Sequence, residues 1–98
     1  MNELLTLINS DYTVDEIGQE VPTATEREIF CEVKSAGRQE FFAAAQSGIR
    51  PEYVFIIWAD DYQGEQNCRY CGETFNIYRT YKKDERLELY VKKVTANG

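Results

Sequence analysis

A chain of 98 residues with 43% hydrophobic and 13% aromatic content is one domain, large enough to fold around one modest core and too apolar for a disordered segment. Its formal charge of −6 disfavours a basic surface that grips nucleic acid, and the absence of histidine excludes histidine-based acid–base and triad chemistry. The charge is unevenly placed: residues 1–34 hold eight acids and two bases, whereas residues 35–98 hold nine of each.

Met1-Asn2-Glu3 carries no basic cluster, and Leu4-Leu5-Thr6-Leu7-Ile8 is too short to span a bilayer, so a cytosol-like compartment is expected. Three cysteines fit that expectation, because an odd number cannot all pair within one chain. Leu4 to Ile8 is a predicted first strand and Tyr12 to Asp15 a short second one. Glu16 to Thr23 is the least regular segment, a polar stretch bracketed by Gly18 and Pro22. From Glu26 to Lys34 the chain alternates, with Ile29, Cys31 and Val33 on one face and Glu28, Glu32 and Lys34 on the other, the period of a half-buried strand.

A helix is predicted from a Ser35 cap through Gln46 or Ser47, carrying Phe41 and Phe42. Gly48-Ile49-Arg50-Pro51 then supplies its stop: a left-handed glycine, an isoleucine that folds back, and a proline that forbids continuation. Tyr53 to Asp61 is the next strand, apolar on both faces over Tyr53-Val54-Phe55-Ile56-Ile57-Trp58-Ala59, as expected with core on one side and the helix or a neighbour on the other. Gln66–Tyr70 and Thr74–Tyr81 form a predicted hairpin around Cys71-Gly72, a turn whose positive φ suits Gly72 and not Cys71. After Lys82-Lys83-Asp84, Leu87, Leu89 and Val91 alternate with polar residues in a last strand. Six or seven strands with one short helix predict a mainly β fold, a small barrel or sandwich; the alternative is an open α+β sheet. The expected core is Ile29, Cys31, Val33, Phe41, Phe55, Ile57, Phe75, Ile77, Leu87, Leu89 and Val91.

Cys68-Arg69-Tyr70-Cys71-Gly72 has the form of half a zinc ribbon. A structural zinc wants four ligands, and the rest of the chain adds only Cys31 and no histidine. A redox pair normally opens a helix, whereas the flanking residues here read as strand. No metal or cofactor is therefore expected, with a zinc or thiol regulatory module using Cys68 and Cys71 as the alternative. Asp60 and Asp61, adjacent on a strand, face opposite ways and make a poor catalytic pair. Alternation turns Tyr78 and Tyr90 outward, where tyrosine suits a protein interface, with core or cross-strand packing as the alternative.

Glu28 to Ser35, Glu40-Phe41-Phe42 and Gly48 to Phe55 together resemble the head-closure, or head–tail joining, proteins of long-tailed bacteriophages. Tyr62-Gln63-Gly64-Glu65, Phe75 to Tyr81 and Leu87-Glu88-Leu89-Tyr90 extend the resemblance in the same order, from about Tyr12 to Val91. The cysteine pair departs from that pattern, which usually has a plain polar hairpin there. The resemblance implies a β-barrel with an embedded helix and a non-enzymatic assembly protein. It implies a ring homo-oligomer in the virion, added in the host cytoplasm beneath a portal–adaptor assembly and presenting a surface to tail-completion proteins. It further implies that packaged DNA passes through without sequence-specific binding and that no membrane is involved. The acidic segment Asp15, Glu16, Ile17, Gly18, Gln19 and Glu20 is the candidate channel or subunit-contact loop, with an ordinary solvated surface hairpin as the alternative.

Overall fold

The computed structural model describes residues 2–94, with the side chains of Asp11, Tyr12, Thr13 and Pro22 left aside. In chain order the elements are β1 (Glu3–Val14), β2 (Glu20–Ser35), α1 (Arg38–Ala45), β3 (Pro51–Trp58), a short 3₁₀ turn (Ala59–Asp61), β4 (Asn67–Tyr70), β5 (Glu73–Lys83) and β6 (Arg86–Lys93). All neighbouring strands are antiparallel, in the order β1-β2-β3-β6-β5-β4, and β4 closes on β1. The fold is thus mainly β, a closed six-stranded barrel with one short helix; closure rules out the open sheet.

Alternation fills the barrel. Leu5 and Leu7 of β1, Ile29 and Cys31 of β2, Phe55 and Ile57 of β3, Cys68, Phe75, and Leu87, Leu89 and Val91 of β6 form one buried cluster. Val33 and Ile77 pack against it partly buried, as do Tyr53 and Tyr70. Tyr53, Phe55, Tyr70 and Phe75 meet with ring centroids 5.2–6.1 Å apart in tilted and edge-on arrangements, the geometry that the aromatic quadrupole favours.

Four expectations need correction. Leu4–Ile8 and Tyr12–Asp15 are one strand, and β2 begins at Glu20, so the irregular segment shrinks to residues 15–19. Pro22, opposite Tyr12, is tolerated because this part of β2 is bonded to a strand on one side only. The helix is shorter than predicted, since Ser35 still pairs with Tyr53 in the sheet and the N-cap is Gly37, with no side-chain cap bond. Its stop is as read: Gly48 has φ +73°, its N–H donates to the Ala45 carbonyl, and the Ile49 N–H donates to that of Ala44. Phe41 is not core but 47% exposed, and Phe42 is 64% exposed, because α1 turns Glu40 and Ala44 towards the barrel. Finally, β3 ends at Trp58, and Asp60 and Asp61 lie in the 3₁₀ turn.

One barrel end is closed by the chain itself. The link from β3 to β4 crosses that end, bringing Ala59 and Tyr62 onto the core. Arg27, opposite the inward Leu7, meets Glu65 there: its Nε donates to Glu65 Oε2 at 3.1 Å, and its guanidinium also donates to the Asp61 carbonyl. Glu65 is 3% exposed and also accepts from the Gln63 N–H at 2.7 Å, while the Tyr62 hydroxyl donates to the Glu65 carbonyl. Burial pushes the Glu65 carboxyl up, but the Arg27 and backbone hydrogen bonds outweigh it and hold the group below its usual range.

Candidate functional site

β1 and β2 outrun the barrel. Their register is unbroken from Glu3 opposite Cys31 to Val14 opposite Glu20, yet β4 bonds only Thr6 to Ile8, and β3 bonds β2 only over Glu32 to Ser35. Residues 9–14 and 20–25 therefore form a two-stranded arm leaving the closed end of the barrel, and the molecule measures 50 × 30 × 24 Å. Six residues per strand give the arm a reach of roughly 20 Å.

All six candidate loop residues, Asp15, Glu16, Ile17, Gly18, Gln19 and Glu20, lie exposed at the tip of this arm. Asp15 organises the turn. Its Oδ1 accepts from the Ile17 N–H at 3.0 Å and the Gln19 N–H at 2.8 Å, its N–H donates to the Gln19 carbonyl, and Gly18 turns the chain at φ +85°. Val14, Ile17 and Val21 are 70%, 78% and 39% exposed, so the tip is apolar as well as acidic. Residues 9–26 carry five acids, Asp11, Asp15, Glu16, Glu20 and Glu26, and no base. At the base of the arm Glu26 is paired: Arg69 donates to it at 2.7 Å and holds its carboxyl below the ordinary range.

The outer face of β3, β6 and β5 carries the second feature. Tyr78 and Tyr90 do turn outward, but neither is a free interface group. The Tyr78 hydroxyl donates to Glu40 of α1 at 2.6 Å, Arg79 pairs with Glu40 and stacks over Tyr90 at 3.9 Å, and the Tyr90 hydroxyl donates to Glu88 at 2.6 Å. Burial first, and then the adjacent carboxylates, push both phenols up. These contacts moor α1 beside a trough of about 850 Å³. A groove of about 500 Å³ shares Lys34, Ile56 and Glu88 with it and runs on to Trp58, Lys83 and Arg86, with the Arg86 guanidinium 5.5 Å from the Trp58 ring centre.

Cys68 and Cys71 stand in different environments. Cys68 is fully buried in the barrel, where burial and then neighbouring Cys31 push its thiol up to about 12, and burial likewise pushes Cys31 up to about 11. Cys71 is exposed at the β4–β5 turn with φ +51°, so it accepts the left-handed conformation expected of glycine alone, and Gly72 follows at +80°. A thiolate, not a thiol, ligates metal, and the barrel interior suppresses one of the two. Among the described residues no three histidine, cysteine, aspartate or glutamate side chains cluster as a metal site. No helix of the described residues is long and apolar enough to cross a membrane.

Sequence reading found the acidic tip but not the arm behind it, nor the groove on the far face. The signal for the groove lay in β3, where Ile56 and Trp58 alternate with the core residues Phe55 and Ile57. A scan against family models finds no match to this chain, and no curated protein matches it in sequence.

Proposed function

We propose that this chain is a head–tail joining protein of a long-tailed bacteriophage or prophage, a non-enzymatic ring subunit between the portal–adaptor of the filled head and the tail. The observation that carries the reading is the pairing of a closed barrel and single helix, the fold the sequence resemblance implies, with an acidic arm whose described side chains are exposed or half-buried. An isolated two-stranded ribbon is marginally stable in water, so an exposed arm of this length suits contact with a neighbouring subunit or another protein. Its negative charge suits a passage that must not grip DNA. The zinc or thiol alternative has no geometry in its favour, since its two sulfurs occupy different environments.

The deciding experiment is deletion of the gene in its phage or prophage, followed by electron microscopy and complementation. Heads that fill with DNA but lose it or fail to accept tails, restored by the parent chain, are the expected outcome. Normal virions lacking the chain would end the reading.

A further inference from the structure

Where the arm leaves the barrel, β2 carries Glu26 and Arg27, and both are tied to one other stretch of chain. Consecutive strand residues point to opposite faces. Arg27, in the row of the inward Leu7, reaches in to Glu65 and to the Asp61 carbonyl of the link that closes the barrel end. Glu26, in the row of Ile8, points outward, and Arg69 of β4 donates to both its carboxylate oxygens, at 3.2 and 2.7 Å. In the sheet β1 lies between β2 and β4, so the two ion pairs pass on either side of it. The backbone from 26 to 27 and from 65 to 69 completes a loop around β1 at Leu7 and Ile8, the last row that β4 bonds. Ile8 faces outward by alternation and lies outside the core cluster, yet it is buried where the Glu26–Arg69 bridge crosses β1.

We propose that Glu26, Arg27, Glu65 and Arg69 form a collar around β1 that fixes the direction in which the arm leaves, making it a stiff projection and not a swinging ribbon. Backbone pairing alone does not supply this. On its β3 side β2 has a bonded neighbour only from Glu32 onward, and β4 releases β1 after Ile8, so no third strand stiffens the root. The two pairs contribute unequally. The side chains of Glu65 and Arg27 are 4% and 35% exposed, whereas those of Glu26 and Arg69 are 46% and 40% exposed. The inner pair is therefore the stronger restraint, because solvent screens the outer one. The outer pair adds geometry, since a bidentate fork holds its partner in one orientation. All four are positioning residues, and the collar stands whether or not the proposed joining role does.

A pair of spin labels on the full chain tests it. Ile17→Cys places one label at the exposed tip and Lys83→Cys the other at the exposed end of β5, in a Cys71→Ser background; Cys31 and Cys68 are fully buried and stay unlabelled. Around the barrel β5 and β6 stand opposite β1 and β2, so the distance between labels reports any lean of the arm. With the collar intact, one narrow distance distribution is expected. Glu65→Gln should make it roughly twice as wide. Glu26→Gln with Arg69→Gln should widen it less, at an unchanged melting temperature, because both side chains are largely exposed. Glu26→Arg with Arg69→Glu restores the outer pair in reverse and should return the parent width. A broad distribution in the parent overturns the proposal, as does a width that none of the variants changes. A reversed pair that fails to narrow what the amide pair widened also overturns it, since the loosening would then owe nothing to pairing. If Glu65→Gln does not fold, the two outer-face variants still decide.

Discussion

β1 and β2 pass through two regions that could hardly differ more in how they are held. Inside the barrel Leu5 and Leu7 are wholly buried, and Ile29, paired with Leu5 on the neighbouring strand, and Cys31 turn into the same core. A few residues on, the same strands keep the same register, yet Val14, Ile17 and Val21 lie open to water. Backbone pairing is continuous; burial is not. Cross-strand hydrogen bonds contribute little net stability because water competes for them, whereas apolar area removed from water contributes about 25 cal/mol per Å². The barrel therefore carries the folding free energy, and the arm is free to carry chemistry that folding does not require.

Substitution in the barrel centre should have the largest effect. Phe55→Ala removes a ring with no exposed surface from the aromatic cluster, and a loss of about 3–5 kcal/mol is expected in chemical denaturation. Phe41→Ala, on the exposed side of α1, should cost about 1 kcal/mol or less. Equal losses would mean that α1 packs with Phe41 inward and that the boundary between core and surface is misplaced.

The closed end comes next. Glu65→Gln removes the charge facing Arg27, whose side chain is 35% exposed, so the expected loss near neutral pH is about 2 kcal/mol, below that of a fully buried pair. The pH dependence gives the sign. Glu65 is held below its ordinary value of 4.5, so its contribution is complete above about that pH and disappears as pH falls through the lower folded value. In Glu65→Gln that part of the acid loss should vanish. Parallel stability–pH curves for parent and variant would show that the Arg27 contact does not perturb the carboxyl.

The two cysteines divide the regions on a finer scale. Cys68→Ser places a hydroxyl in the sealed barrel and should cost about 1–3 kcal/mol. Cys71→Asn should instead stabilise by up to about 1 kcal/mol, because asparagine tolerates the left-handed φ of +51° better. Thermal melts of the two single variants separate these signs. A fold organised by a shared metal would lose stability with both.

Where side-chain period decided structure, the sequence was a good guide. β6 and the Ile29–Val33 stretch alternate cleanly and lie as their patterns predict, and every expected core residue except Phe41 is in or against the core. Phe41 misled because size is a poor guide to a helix that approaches a sheet closely: small Ala44 faces the barrel and the phenylalanines stay outside. A set spaced at Glu40, Ala43, Ala44 and Ser47 was the better signal. The C-x-x-C spacing draws attention to Cys68 and Cys71 as a pair, although the two-residue spacing of Cys68 from Tyr70 puts those two on the inner face. The arm was hidden for a different reason. Glycine and proline near a hairpin tip look like loop, and nothing local shows that pairing persists without a core beneath it.

The smallest stability effect expected is at the arm tip, and there the functional effect should be greatest. Replacing Asp15, Glu16 and Glu20 together with Asn, Gln and Gln removes three negative charges but keeps an Oδ1 at position 15 to accept from the Ile17 and Gln19 N–H groups. The turn should survive, and each exposed change should alter stability by no more than about 0.5 kcal/mol. Because the barrel holds the fold and the arm only extends from it, the melting temperature should stay close to that of the parent. Head completion should not: under the proposed role, heads carrying the variant lose packaged DNA or fail to accept tails, since the tip's acids then face either the passage or a neighbouring subunit. Asp15→Ala separates charge from shape, because it also removes the turn's acceptor, and it should disturb the tip even where the amide variant does not. A normal infectious titre from the amide variant would make the tip plain solvated surface, and the joining role would have to reside on the barrel or on α1 with its exposed Phe41 and Phe42.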